Sequence, residues 1–104
     1  MARHPYGSDK HRAACKAHCA TRLVERYGVY TKRAGKSLYV KHRRMVMRGA
    51  SGLLGVRKKD GSEILEVRDG DRSYFLAWDP ELKLTKTYLT EQQAFLTACL
   101  AFLL

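Results

Sequence analysis

The 104 residues predict an α+β domain: a helix at the amino-terminal end, an antiparallel β-meander of about five to seven short strands, and an apolar helix at the carboxy-terminal end. Three features carry this prediction. A capped stretch with helical period opens the chain, two Asp-Gly pairs sit between strand-like runs, and Thr90 with Gln93 forms a capping box ahead of an uncharged segment. A chain of this length buries roughly 60 to 70% of its unfolded surface in one core, so residues 1–104 read as a single domain, with 1–7 as a flexible tail.

The first helix spans Ser8 to Tyr27. Ser8 or Asp9 can cap its start, and Gly28 suits the left-handed position just past its end. On a 3.6-residue wheel, Ala13, Ala17, Ala20, Leu23, Val24 and Tyr27 form one stripe, expected to be buried. His11, Arg12, Cys15, His18, Cys19, Arg22 and Arg26 gather on the other, expected to be exposed and basic.

After Gly28 the pattern reads as period two. Ala34-Gly35 lies between Val29–Arg33 and Lys36–Lys41, which pair as a hairpin with Tyr30, Lys32, Tyr39 and Lys41 on one face. Tyrosines interleaved with lysines can stack a base while the ammonium groups hold phosphates, and tyrosine is equally a good sheet former. Leu38 and Val40 share one parity and Met45 and Met47 the other. The inward face must therefore switch across Lys41-His42-Arg43-Arg44, at a bulge or a turn.

Gly49 to Gly52 is a small-residue connection without the Gly-Lys-Ser/Thr ending of a phosphate loop. Asp60-Gly61 and Asp69-Gly70 then predict hairpins pairing Lys59 with Ser62 and Arg68 with Asp71. Those registers place Leu54, Val56, Leu65, Val67, Tyr74, Leu76 and Trp78 on the core face, and leave Ile64 and Phe75 on a mixed face turned to solvent. Leu82 to Leu89 makes the last strand. From Ala94 the final helix is apolar nearly all round, and a homodimer through Phe95, Leu96, Cys99, Phe102 and Leu103 would cover it.

The formal net charge is +10 and is unevenly placed. Residues 1–60 hold 16 Lys or Arg against 3 Asp or Glu (+13), and residues 61–104 hold 4 against 7 (−3). A polyanion would relieve this self-repulsion, which makes nucleic acid, DNA or RNA, the expected partner and an acidic protein surface the alternative. Phosphate contacts are expected from Arg12, Arg22, Arg26, Lys32, Lys36, Lys41, Arg43, Arg44 and Arg48, with Tyr30 and Tyr39 beside them. No apolar run reaches the ~20 residues of a membrane span, and no targeting segment follows Met1, so a cytoplasmic protein with no membrane partner is expected. Three cysteines read as free thiols. His11-x3-Cys15-x2-His18-Cys19 holds zinc-type ligands but finds no second ligand pair elsewhere, so neither metal nor cofactor is expected.

Two short stretches resemble enzyme families. Gly28-Val29-Tyr30, then Tyr39-Val40 and Arg43-Arg44, resembles the paired-strand signature of GIY-YIG nucleases, although Lys41 replaces the second glycine. That resemblance implies metal-dependent phosphodiester cleavage, with Glu63 or Glu66 supplying the carboxylate. Glu66-Val67-Arg68 followed by Arg72-x-Tyr74-Phe75 is similar to the strand pair of RelE-like ribonuclease toxins, which implies Arg68, Arg72 and Tyr74 as catalytic groups. The principal expectation remains a non-enzymatic binding module.

Overall fold

A computed structural model describes the backbone of residues 5–103 and the side chains as far as Cys99. The order is α1 (Asp9–Tyr27), α2 (Lys32–Met47), β1 (Gly52–Val56), β2 (Glu63–Asp69), β3 (Arg72–Asp79), β4 (Leu84–Leu89) and α3 (Glu91–Leu103). The α+β class and both outer helices agree with the sequence. The antiparallel sheet has four strands in the order β1-β2-β3-β4, fewer than the five to seven expected.

The shortfall arises because the Val29–Lys41 hairpin does not form; α2 stands there instead. Buried Gly35, Tyr39 and His42, with half-buried Val46, recur at helical spacing, and Thr31 caps the helix by accepting from the Ala34 N–H at 3.0 Å. The apparent change of strand parity across Lys41 to Arg44 is the trace of a helical period. Gly35, expected in a turn, marks a close helix crossing: a Cβ there would lie 3.0 Å from the Ala20 Cα and carbonyl oxygen. The helix ends in a Schellman motif, with Gly49 at φ +79° and the Ala50 N–H donating to the Met45 carbonyl.

On α1 the buried residues are Cys19, Ala20, Leu23 and Tyr27, while Ala13 and Ala17 are exposed. The buried stripe is thus rotated toward Cys19, because α1 must face α2 as well as the sheet. The β2–β3 register pairs Arg68 with Ser73, two residues from the expected pairing, which preserves parity. Leu65, Val67, Tyr74, Leu76 and Trp78 therefore do share one core with α1 and α2. In β1 a bulge between Leu53 and Gly55 sends Leu54 to the opposite face and leaves Val56 exposed. The face expected to meet solvent is covered by α3: Ile64, Phe75, Ala77 and Ala94 form a second core, and Gly55 admits Ala98 at close range. The sheet is therefore the middle of three layers.

The capping box forms as predicted. The Gln93 N–H donates to Thr90 Oγ1 at 3.1 Å, and the Thr90 N–H donates to Gln93 Oε1 at 3.0 Å. Phe95, Leu96 and Cys99 lie on the exposed side of α3. Phe102 and Leu103, the other two residues expected at a dimer interface, have side chains outside the described residues. No described helix is long and apolar enough to cross a membrane.

Candidate functional site

The helix pair gathers the basic residues. α2 carries Lys32, Arg33, Lys36, Lys41, Arg43 and Arg44 and no acidic residue. Lys32 and Arg33 even occupy its first turn, where the helix dipole disfavours cations. Helix stability does not explain that placement.

α1 and α2 run antiparallel, so their flanks meet in reverse order. Ala20 touches Gly35 near the connection, and Lys16 lines a shallow hollow of about 390 Å³ with Arg33, Lys36, Ser37 and Val40. Farther along, Arg12 donates to the Leu82 carbonyl at 3.4 Å and Arg43 to the neighbouring Lys83 carbonyl at 2.7 Å. Arg12, Lys16, Arg33, Lys36 and Arg43 thus form one basic surface. Among the described residues none of these five is paired with a carboxylate. Of the expected contacts, Arg12, Lys36 and Arg43 fall in this group. Lys16 and Arg33 were not foreseen, and the helical period of α2 was the signal that would have found them.

The other expected residues lie apart. Arg22 pairs with Glu25 at 3.2 Å, and Arg26 donates to the Tyr88 carbonyl at 2.6 Å on the β4 side of α1. Lys41 pairs with Asp69 at 2.7 Å. Arg44 and Arg48 are exposed on α2 and at its end, and Lys32 is exposed at its start. Tyr30 is 94% exposed in the α1–α2 connection, whereas Tyr39 is 6% exposed within the core. The two tyrosines share no strand, so neither the expected stacking hairpin nor the paired-strand frame of the GIY-YIG resemblance is present. Arg72 and Tyr74 do lie beside Arg68 on paired strands, but Tyr74 is buried and Arg72 lies over the Tyr27 ring, 5.0 Å from its centroid.

A buried polar network holds the helix pair to the sheet. His42 is fully buried, with Nδ1 2.8 Å from the Tyr88 hydroxyl and Nε2 3.0 Å from Asp69 Oδ2. Burial pushes the His42 pKa down, against the pull of Asp69. The ion pair with Lys41, assisted by the His42 hydrogen bond, holds Asp69 below the ordinary carboxylate range. Tyr27 stacks on Tyr74 at 4.9 Å, accepts from the Phe75 N–H at 2.9 Å and donates to the Leu89 carbonyl. Burial raises the Tyr39 hydroxyl to about 12. His42 and Tyr88 at the centre of the network are fully buried, and it opens to solvent at the Lys41–Asp69 pair.

Among the described residues no three His, Cys, Asp or Glu side chains converge as metal ligands. Cys15 Sγ lies 3.7 Å from His11 Nε2, but Cys19 turns inward and donates to the Thr85 carbonyl, because it belongs to the rotated core stripe. The chain matches no known family model, curated protein or solved structure.

Proposed function

We propose that the chain is a nucleic-acid-binding module that holds phosphates on the α1–α2 surface. The supporting observation is the group of five cations, Arg12, Lys16, Arg33, Lys36 and Arg43, which have no carboxylate partner among the described residues and lie side by side on two packed helices. Five neighbouring positive charges favour a partner that presents regularly spaced anions, and they bind it by releasing its counterions. Arg33 and Lys36 do this as free side chains, while Arg12 and Arg43 are oriented by the carbonyls of Leu82 and Lys83. Arg44, Arg48 and Lys32 extend the positive surface along α2. Phosphate contacts of this kind set affinity and register and carry no base information directly.

The test is a binding titration against salt. With about five phosphates neutralised, the logarithm of the affinity should fall with the logarithm of salt at a slope of about −4 to −5. The double variant Arg33→Glu, Lys36→Glu, both at exposed positions, should flatten that slope by about two while leaving the circular dichroism unchanged. Binding that ignores salt, or that survives the double variant unaltered, would contradict the proposal.

A further inference from the structure

We infer that the nucleic acid is double-stranded, gripped along its phosphates rather than through its bases. This rests on the proposed phosphate-binding reading of the same surface and adds the form of the partner.

The cations stand on a rigid support. The helices are locked at the Ala20–Gly35 crossing, and Arg12 and Arg43 are tied to neighbouring backbone carbonyls. On α2, Arg33, Lys36 and Arg44 share the outward side with Arg48 beyond them; from Arg33 to Arg48 the rise is about 22 Å. A duplex is an equally stiff lattice, with one charge per about 1.7 Å of axis and a major groove about 12 Å wide. A stiff duplex meeting cations carried on two packed helices requires the ordering of side chains only, not of either backbone. A single strand must be ordered on binding, and proteins that hold one recover that cost by stacking its bases on exposed aromatic rings.

Such rings are not where a single strand would need them. Tyr27, Tyr74 and Tyr88 are in the core beneath the helices, and Tyr39 is turned into it. The sheet face that could have served as a stacking platform is covered by α1 and α2. Tyr6 donates to Asp79 at 2.6 Å, and Phe95 leans on Phe75 across the sheet. Among the described residues that leaves Tyr6 and Tyr30 as exposed rings near the helix pair, at opposite ends of the 19-residue α1 and so about 28 Å of helix apart, too far to continue one stack.

One mixed-sequence oligonucleotide, presented as duplex DNA, duplex RNA and each separate strand at a single salt concentration, tests this by fluorescence anisotropy. Both duplexes should bind about tenfold or more tightly than the strands. Tyr30→Ala should change every affinity by less than about twofold. Single strands that bind as tightly as duplexes, or a large loss with Tyr30→Ala, would overturn the inference and leave the phosphate-binding reading standing. No binding by any form, or binding untouched by Arg33→Glu with Lys36→Glu, would overturn both. The two duplex arms distinguish DNA from RNA as the source of the phosphates.

Discussion

The two faces of the sheet are built on different chemistry. Beneath α1 and α2 the core is aromatic and hydrogen-bonded: Tyr74 and Tyr88 flank His42, which reaches Tyr88 and Asp69, and Tyr27 stacks on Tyr74. Beneath α3 the core is Ile64, Phe75, Ala77 and Ala94, with Leu54 and Leu89 at its margin and no hydrogen-bonding side chain. Apolar burial holds α3 in place with little directional constraint, whereas hydrogen bonds and stacked rings set both the position and the rotation of the helix pair. The face proposed to hold phosphates is the one whose supporting core carries the hydrogen bonds and stacked rings.

Truncation should expose that contrast most strongly. Tyr88→Ala removes a fully buried ring and leaves the His42 nitrogen without its partner, and should cost about 3 to 5 kcal/mol in chemical denaturation. Leu96→Ala, at a position 60% exposed on α3, should stay within about 0.5 kcal/mol. Comparable losses at the two positions would remove the distinction.

Gly35→Ala sharpens it at the helix crossing. The added methyl would meet backbone atoms of Ala20 at 3.0 Å, so the helices must separate, at about 1 to 3 kcal/mol. Salt-dependent binding should weaken with it, since Lys16 sits across the crossing from Arg33 and Lys36. An unchanged melting temperature and unchanged binding would show that the close approach is not required.

A smaller effect is expected from pH. Burial depresses the His42 pKa in the folded chain, so between its folded and unfolded values the unfolded chain binds the extra proton. That contribution is fully present above the ordinary histidine pKa of about 6.5, and is lost as pH falls through the depressed folded value. His18, also lowered by burial against β4, acts in the same direction. Asp69, held low by Lys41, adds a loss at more acid pH. His42→Gln should flatten the slope of stability between about pH 7 and 5. An unaltered slope would mean that His42 does not titrate in this window.

The class and the core face beneath α1 were legible in the sequence, whereas the second core beneath α3 was expected to meet solvent, and the misses have physical causes. The parity of Leu65, Val67, Tyr74, Leu76 and Trp78 survived a two-residue register shift, because only odd shifts exchange the faces of a strand. α2 was misread because Tyr39 and Val40 favour strands, and because Ala34-Gly35 looks like a turn until Ala20 is known to lie against it. That error placed Tyr30 and Tyr39 on one face and concealed the grouping of Lys16 with Arg33 and Lys36. The charge imbalance pointed to the amino-terminal portion. It could not show that Arg22 pairs with Glu25 and Lys41 with Asp69, since those pairings depend on helix rotation and on the sheet beneath.

Amide chemical-shift mapping with a short mixed-sequence duplex tests the central claim most directly. Perturbations concentrated at Arg12, Lys16, Arg33, Lys36 and Arg43, with α3 and β1 unmoved, are the predicted result. Perturbations centred on the exposed side of α3 around Phe95 and Leu96, or spread evenly over the molecule, would contradict it.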